Sequence, residues 1–263
     1  FHKHEDKRED DPFAYVHADN GAATYGMSCD MDDEGLDKDA VRMRRLGDYV
    51  KAHGGDFLFK APADLVVTGG PGDKAGMPFR NANAFQDSFL DLLTRYGVDY
   101  MDAREVLKDS DLPRDKIMYR TDHHWTGEAA FEVFRKLVGR LEKGIGQSLD
   151  PDGFYRDPAN YGRHTYPNAF LGSIGRSTGI NFIGMEDFTA IYPKFTGNFS
   201  VEFVDLIGYR VREGEIQDSL FRQDVLKPQV PYTMSMYDYY LNGIKVWIRV
   251  VNHDNPDGPS LLM

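Results

Sequence analysis

Chemistry concentrates at Asp122-His-His-Trp125, where a carboxylate, two imidazoles and an indole are contiguous. In an extended segment side chains at i and i+2 point the same way, so Asp122 and His124 are expected on one face and His123 and Trp125 on the other. A carboxylate beside an imidazole is half of a nucleophilic triad: the carboxylate fixes the tautomer and steadies the imidazolium, and the imidazole takes a proton from a Ser or Cys. Two other readings stay open. The cluster could be a buried, hydrogen-bonded turn, or Asp122, His123 and His124 could join His164 or His253 around zinc, since histidine and carboxylate are zinc ligands. Regular helical ligand spacing is absent, which weakens the metal reading.

These residues need a frame. Lys116 to Tyr119 reads as the end of a strand, and Thr126 caps a helix whose apolar positions are Ala130, Val133, Phe134, Leu137, Val138 and Leu141. Leu36, Ala40, Met43, Leu46 and Val50 predict a helix ended by Gly54-Gly55, and Asp56 to Pro62 a buried strand. Phe85, Phe89, Leu92, Leu93 and Tyr96 predict another helix, stopped by Gly97, with a strand over Val98–Met101. Such alternation implies an α/β fold with a mostly parallel sheet, and in such sheets ligands bind beyond the carboxyl ends of the strands.

From 146 onward Gly, Pro, Asn, Asp and Tyr dominate. Val201–Val211 reads as a half-exposed strand with a turn at Glu213-Gly214, and Ser260–Met263 as the start of another apolar strand. The Gly-rich run Thr68–Gly76 lacks phosphate-loop spacing, and Tyr25–Asp33 lacks the spacing and closing Glu of a calcium loop. The first reads as a surface loop, the second as a loop leading into a helix. The mixed-charge run Phe1–Asp11 reads as a solvated, flexible end.

The chain has 263 residues, 41% of them hydrophobic, 13% aromatic and 28% charged, enough for a substantial core. A net charge of −11 argues against nucleic acid or an anionic membrane surface as partner. The single cysteine, Cys29, excludes an intrachain disulfide and a cysteine-rich zinc site. No apolar run approaches the length of a membrane span.

Tyr119-Arg-Thr-Asp-His-His-Trp-Thr-Gly127 resembles the signature of the bacterial DHHW proteins, which are similar to the SGNH-hydrolase-like alginate O-acetyltransferases of the cell envelope. The resemblance implies an SGNH-hydrolase-like three-layer α/β fold with an insertion of extra strands. It implies one domain: a flexible lead over 1–20, an α/β core over 21–145, an insertion over 146–243 and a return to the core sheet over 244–263. Asp122 becomes the orienting carboxylate and His124 the general base. Phe170-Leu-Gly-Ser-Ile-Gly-Arg176 resembles the family's Gly-Ser-x-Gly block, making Gly172, Ser173, Gly175 and Arg176 candidates to line the site with backbone N–H groups, and Trp125 a further substrate-binding candidate.

Met236–Gly243 and Ile244–Val251 resemble the Tyr-rich helix and strand that precede the family's nucleophile, and since in that family an Asp-Ser pair carrying it follows an apolar strand, the nucleophile is expected beyond Met263. The pairs Asp87-Ser88 and Asp218-Ser219 fall within predicted helices and read as decoys. The implied activity is a serine-dependent O-acetyltransferase or carbohydrate esterase, extracytoplasmic, with no cofactor and no metal. Its partners are a polysaccharide acceptor and an acetyl donor that a membrane acyltransferase can deliver. A signal or anchor segment is expected ahead of Phe1. A non-catalytic polysaccharide-binding or scaffold protein is the alternative.

Overall fold

The computed structural model describes residues 15–17, 23–25, 33–63, 82–113, 116–205, 208–226, 232–240 and 247–262. The expectations for 1–14, for Thr68–Gly76 and for most of Tyr25–Asp33 lie outside these residues. The chain divides into two compact units, the first made of 1–156 and 171–186, the second of 157–170 and 187–263.

The first unit is mixed α/β. Strands β1 (Tyr15–His17) and β2 (Ala23–Tyr25) pair antiparallel. Helix α1 (Asp33–Ala52) buries Leu36, Ala40 and Gly47, while Leu46, expected on that stripe, is 46% exposed. At 3.6 residues per turn position 47 follows 36, 40 and 43 on the inner face. Gly47 fits there because a Cβ would already lie 3.1 Å from the Phe57 ring.

Strands β3 (Phe59–Ala61) and β4 (Tyr100–Asp102) form a parallel pair. Ala61 joins Ala40, Leu90, Leu93 and Val98 in a cluster that includes α1 and helix α2 (Ala82–Arg95). Met101 joins Ala103 and Leu107 of α3 (Ala103–Lys108), Ile117, and Ala129 and Val133 of α4 (Gly127–Ile145). Neighbouring β4 residues thus feed clusters on opposite faces, as the period-2 geometry of a strand requires. Gly97, with φ 66°, turns α2 into β4 as expected from sequence.

The mostly parallel sheet is corrected: among the described residues one parallel pair is present, and Lys116–Tyr119 forms a helical turn and a single antiparallel bridge between Met118 and Trp125 instead of a strand. The first unit also takes α5 (Ser173–Thr178) and α6 (Ile180–Ile183), whose Ile174 and Ile183 bury with Ala23 and Leu171. Their position in the sequence, inside a Gly-rich stretch, hid them.

The second unit holds strands β5 (Tyr161–Phe170) and β6 (Glu186–Pro193), apart from Glu186 itself, and a sheet ordered β8-β7-β9. The single strand read over Val201–Val211 is two, β7 (Asn198–Asp205) and β8 (Gly208–Glu215), paired antiparallel from Asp205–Gly208 outward; Glu213-Gly214 lies inside β8 and is no turn. Strand β9 (Trp247–Asn252) pairs antiparallel with β7. Ser260, Leu261 and Leu262 are in no strand, and Leu262 is 96% exposed.

Candidate active site

The turn carrying Asp122 is tied down from both ends. Thr126 caps α4: its hydroxyl accepts from the Ala129 N–H at 3.2 Å and donates to the Lys116 carbonyl at 2.7 Å. The Thr126 N–H reaches the Ile117 carbonyl and the Tyr119 N–H reaches the His124 carbonyl, closing 117–126 as a narrow loop. Residues 120–124 are bends, not extended chain, so the alternation of side chains expected from an extended segment does not operate.

Within that loop the His124 ring Nδ1 lies 2.5 Å from Asp122 Oδ1, and the His124 N–H reaches the same oxygen at 3.1 Å. The other oxygen, Oδ2, accepts from the Ser173 N–H at 2.6 Å. Asp122 is 2% exposed, whereas the His124 side chain is 33% exposed. A buried carboxylate thus anchors an imidazole whose edge reaches solvent. Burial pushes the Asp122 carboxyl up, but the hydrogen bonds from His124 and Ser173 and the charges of both histidines outweigh it and hold the group below its ordinary value. An ionised carboxylate can only accept, so Nδ1 carries the proton and Nε2 is the basic nitrogen of His124.

His123 was missed by the i, i+2 argument. Its ring packs against His124 with centroids 4.0 Å apart, and its Nδ1 lies 2.9 Å from Ser173 Oγ and 3.5 Å from Asp122 Oδ1. The same nitrogen faces hydroxyl and carboxylate, so His123 cannot stand between them as a relay does; that requires opposite ring nitrogens.

The Gly-Ser-x-Gly block does meet the turn, with a job different from the one expected. Gly172 passes so close to Asp122 that a Cβ would lie 2.3 Å from the Asp122 Cβ and 2.5 Å from the Thr121 carbonyl oxygen. Glycine is required there by space. The N–H groups expected to face an oxyanion are committed instead: Gly172 to Thr121 Oγ1, Ser173 to Asp122, Gly175 to the Thr121 carbonyl and Arg176 to the Gly172 carbonyl. The Arg176 guanidinium bonds the Leu171 carbonyl at 3.2 Å. Trp125 packs on the Met101–Ile117 cluster, with the Lys60 ammonium 4.5 Å above its ring. Of the seven candidates, Asp122, His124, Gly172 and Ser173 meet, Gly175 donates to the neighbouring Thr121 carbonyl, and Trp125 and the Arg176 guanidinium are engaged elsewhere.

Glu186 also escaped sequence reasoning, because nothing marks a carboxylate 64 residues downstream as a partner. Its Oε1 accepts from the Thr121 N–H and hydroxyl, each at 2.6 Å, and its Oε2 from the Arg120 N–H at 2.8 Å. Burial raises its pKa against these opposing bonds. Thr121, fully buried, passes the connection to Gly172, so Glu186, Thr121 and Gly172 form one support beneath Asp122.

Asp122, His123 and His124 are also the group of side chains among the described residues that could hold a metal ion, with ligand atoms within 4.8 Å of one another. His164 and His253 belong to the second unit, where His164 packs on Tyr166 and His253 Nε2 meets Ser200 Oγ at 2.9 Å.

With this geometry in hand, solved structures supply the comparison. The fold is shared with a DHHW family protein. That protein, from Eubacterium siraeum, matches at a TM-score of 0.59 and 13% identity, over 89% of this chain and 68% of its own. Bacillus cereus PatB1 bearing a sulfonyl adduct matches at 0.63 and 19%, over 85% and 68%. The O-acetyltransferase domain of Pseudomonas putida AlgJ matches at 0.53 and 14%, over 68% and 66%. These likenesses establish a mixed α/β fold similar to acetyltransferase folds. Neither protein-family models nor curated protein sequences match the chain. Among the described residues no helix is long and apolar enough to cross a membrane.

Proposed function

We propose that the protein is a serine-dependent O-acetyltransferase or carbohydrate esterase acting on an extracytoplasmic, cell-envelope polysaccharide, with an SGNH-type core. The observation that carries this reading is the 2.5 Å contact between His124 Nδ1 and a buried Asp122 whose second oxygen is held by a backbone N–H. That is the supported half of a triad, and the fold likeness to the AlgJ O-acetyltransferase domain points the same way. His124 Nε2 takes the proton of a serine hydroxyl as its oxygen attacks an acetyl carbonyl, and returns it to the departing group. A sugar hydroxyl, or water, then gives its proton to Nε2 and attacks the acetyl-serine, releasing the serine.

No described serine is assigned as the nucleophile. Ser173 bonds His123, the Ser219 hydroxyl donates to the Glu215 carbonyl within helix α7 (Ile216–Leu220), and Ser88 sits mid-helix in α2. A nucleophilic serine needs a sharp turn at a strand end.

A metal-dependent hydrolase is the second reading, favoured by the Asp122, His123, His124 grouping. It is the weaker one, because the His124 Nδ1 that would ligate a cation beside Asp122 is already hydrogen-bonded to Asp122 Oδ1, and that bond would have to be displaced. The test is turnover of an activated acetyl ester by the full-length gene product. His124→Ala is expected to lower kcat/KM by at least about 10³-fold, as loss of a triad base does; His123→Ala is expected to cost under about tenfold, because it removes neither base nor anchor. Activity abolished by chelation and restored by zinc would replace this reading with the metal one, and a full-length protein with no turnover would favour a binding role.

A further inference from the structure

The second unit contains a cavity of about 300 Å³ between β5, β6, α7 and the two short helical turns at Gln223–Leu226 and Met236–Tyr239. Small-molecule sites run from roughly 300 to 1,000 Å³, so it has room for a compact ligand. Its walls are of two kinds. Aromatic rings form the first: His164 and Tyr166 meet edge-on with centroids 4.5 Å apart, and Tyr192 and Tyr239 join them. The Tyr192 ring lies across Gly162, where a Cβ would come within 2.3 Å of Cζ, so glycine at 162 is the condition for that ring to occupy its place.

Neutral amides form the second wall. Gln217 Nε2 donates to the Pro193 carbonyl at 2.6 Å, and Gln223 Nε2 donates to Gln217 Oε1 at 3.4 Å. These bonds orient both carboxamides, Gln217 through its two ends and Gln223 through Nε2, while each Nε2 still has a second hydrogen and Gln217 Oε1 a second lone pair. Burial pushes the Tyr239 phenol up to about 12, which keeps that hydroxyl neutral. Among the described residues the lining has no Lys, Arg, Asp or Glu.

This chemistry selects its ligand. Walls without Lys, Arg, Asp or Glu offer no strong counter-charge to a phosphate, carboxylate or ammonium, and ordered amides are wasted on a purely apolar molecule. A pyranose presents both complements, a C–H face that lies on aromatic rings and hydroxyls that exchange hydrogen bonds with amides and phenols. We infer that the cavity lined by His164, Tyr166, Tyr192, Gln217, Gln223 and Tyr239 binds a neutral saccharide unit, at a site separate in composition from the Asp122–His124 pair. The inference rests on the reading of the protein as one that acts on glycans, which it deepens by giving the glycan a holding site.

The experiment is calorimetric or saturation-transfer NMR titration of the chain with N,N′-diacetylchitobiose and with cellobiose, in the wild type and in His164→Ala, Gln217→Ala, Tyr192→Ala and His124→Ala. His164 is exposed, so its replacement tests the site without asking the fold to tolerate a core change. The expected result is saccharide binding that weakens by about tenfold or more in His164→Ala and Gln217→Ala, consistent with loss of a stacking or amide contact, and is unchanged in His124→Ala. Binding lost in His124→Ala but retained in His164→Ala and Gln217→Ala would place the sugar at the proposed active site and overturn the inference while leaving the proposed function standing. No binding of either sugar by the wild type would overturn the inference as well; the acetyl-ester assay reports on the active site independently.

Discussion

The Asp122 turn and the second unit's cavity are built from opposite materials. Around Asp122, ionised or ionisable groups and backbone donors are held at 2.5–3.1 Å, and the carboxylate is almost sealed from water. Around the cavity, tyrosine rings and amides do the holding and no lining side chain among the described residues is an acid or a strong base. A site that moves a proton needs one group whose charge state is fixed by its surroundings, so that its partner can change. A site that grips a neutral surface needs shape and unbiased hydrogen bonding. The contrast makes separate predictions for the two regions.

The largest expected effect is on the carboxylate. Asp122→Asn replaces an acceptor-only group with one that can present N–H to His124, which favours the wrong tautomer, and turnover of the full-length protein should fall by about 10³–10⁴-fold with no loss of saccharide binding. A parallel loss of both in a protein that remains folded would erase the distinction between the regions.

Next comes Gly172→Ala. The new Cβ overlaps Asp122 and the Thr121 carbonyl, so the block must shift, at a cost of about 1–3 kcal/mol in thermal or denaturant unfolding. Glu186→Ala strips the acceptor from the Arg120 N–H and from the Thr121 N–H and hydroxyl and should cost about 1–3 kcal/mol, with activity reduced through displacement of Asp122. An unaffected melting temperature for both variants would show that the support beneath Asp122 is not needed.

The smallest effect is on acid stability. Asp122 is held below its ordinary value of 3.8, so its contribution to folding is present above that pH and is lost as pH falls through the lower folded value. Glu186 is shifted the other way, so its contribution is present below 4.5 and is lost as pH rises through the raised folded value. Asp122→Asn should therefore flatten the fall in stability below about pH 3.8, and Glu186→Gln should remove a loss of stability above about pH 4.5. Acid titrations followed by circular dichroism read both slopes.

Much of the first unit was legible in the sequence because it is written in local code. Thr126 as a cap, Gly97 as a stop and the stripes of α1, α2 and α4 follow from neighbours within one or two turns. The Asp122–His124 contact was also anticipated, though for a reason that does not hold: the residues meet across a bend closed by the Met118–Trp125 bridge, which equally brings His123 to the same side. What stayed hidden depends on long-range approach. Ser173 N–H on Asp122 spans 51 residues and Glu186 on Thr121 spans 65, and no local pattern encodes such pairings. Strands β5 and β6 were masked by Gly, Pro and charged residues within them, and the cavity they line draws on residues scattered from 164 to 239.

The central claim is that Asp122 holds His124 with its proton on Nδ1 and its basic nitrogen at Nε2. Nitrogen-15 NMR of the histidine rings at neutral pH measures this directly. His124 is expected to be the Nδ1–H tautomer, with a strongly hydrogen-bonded proton that disappears in Asp122→Asn, and added zinc is expected to leave the resonances in place. A His124 ring protonated on Nε2, or zinc-induced shifts of both His123 and His124 at one equivalent of metal, would contradict it.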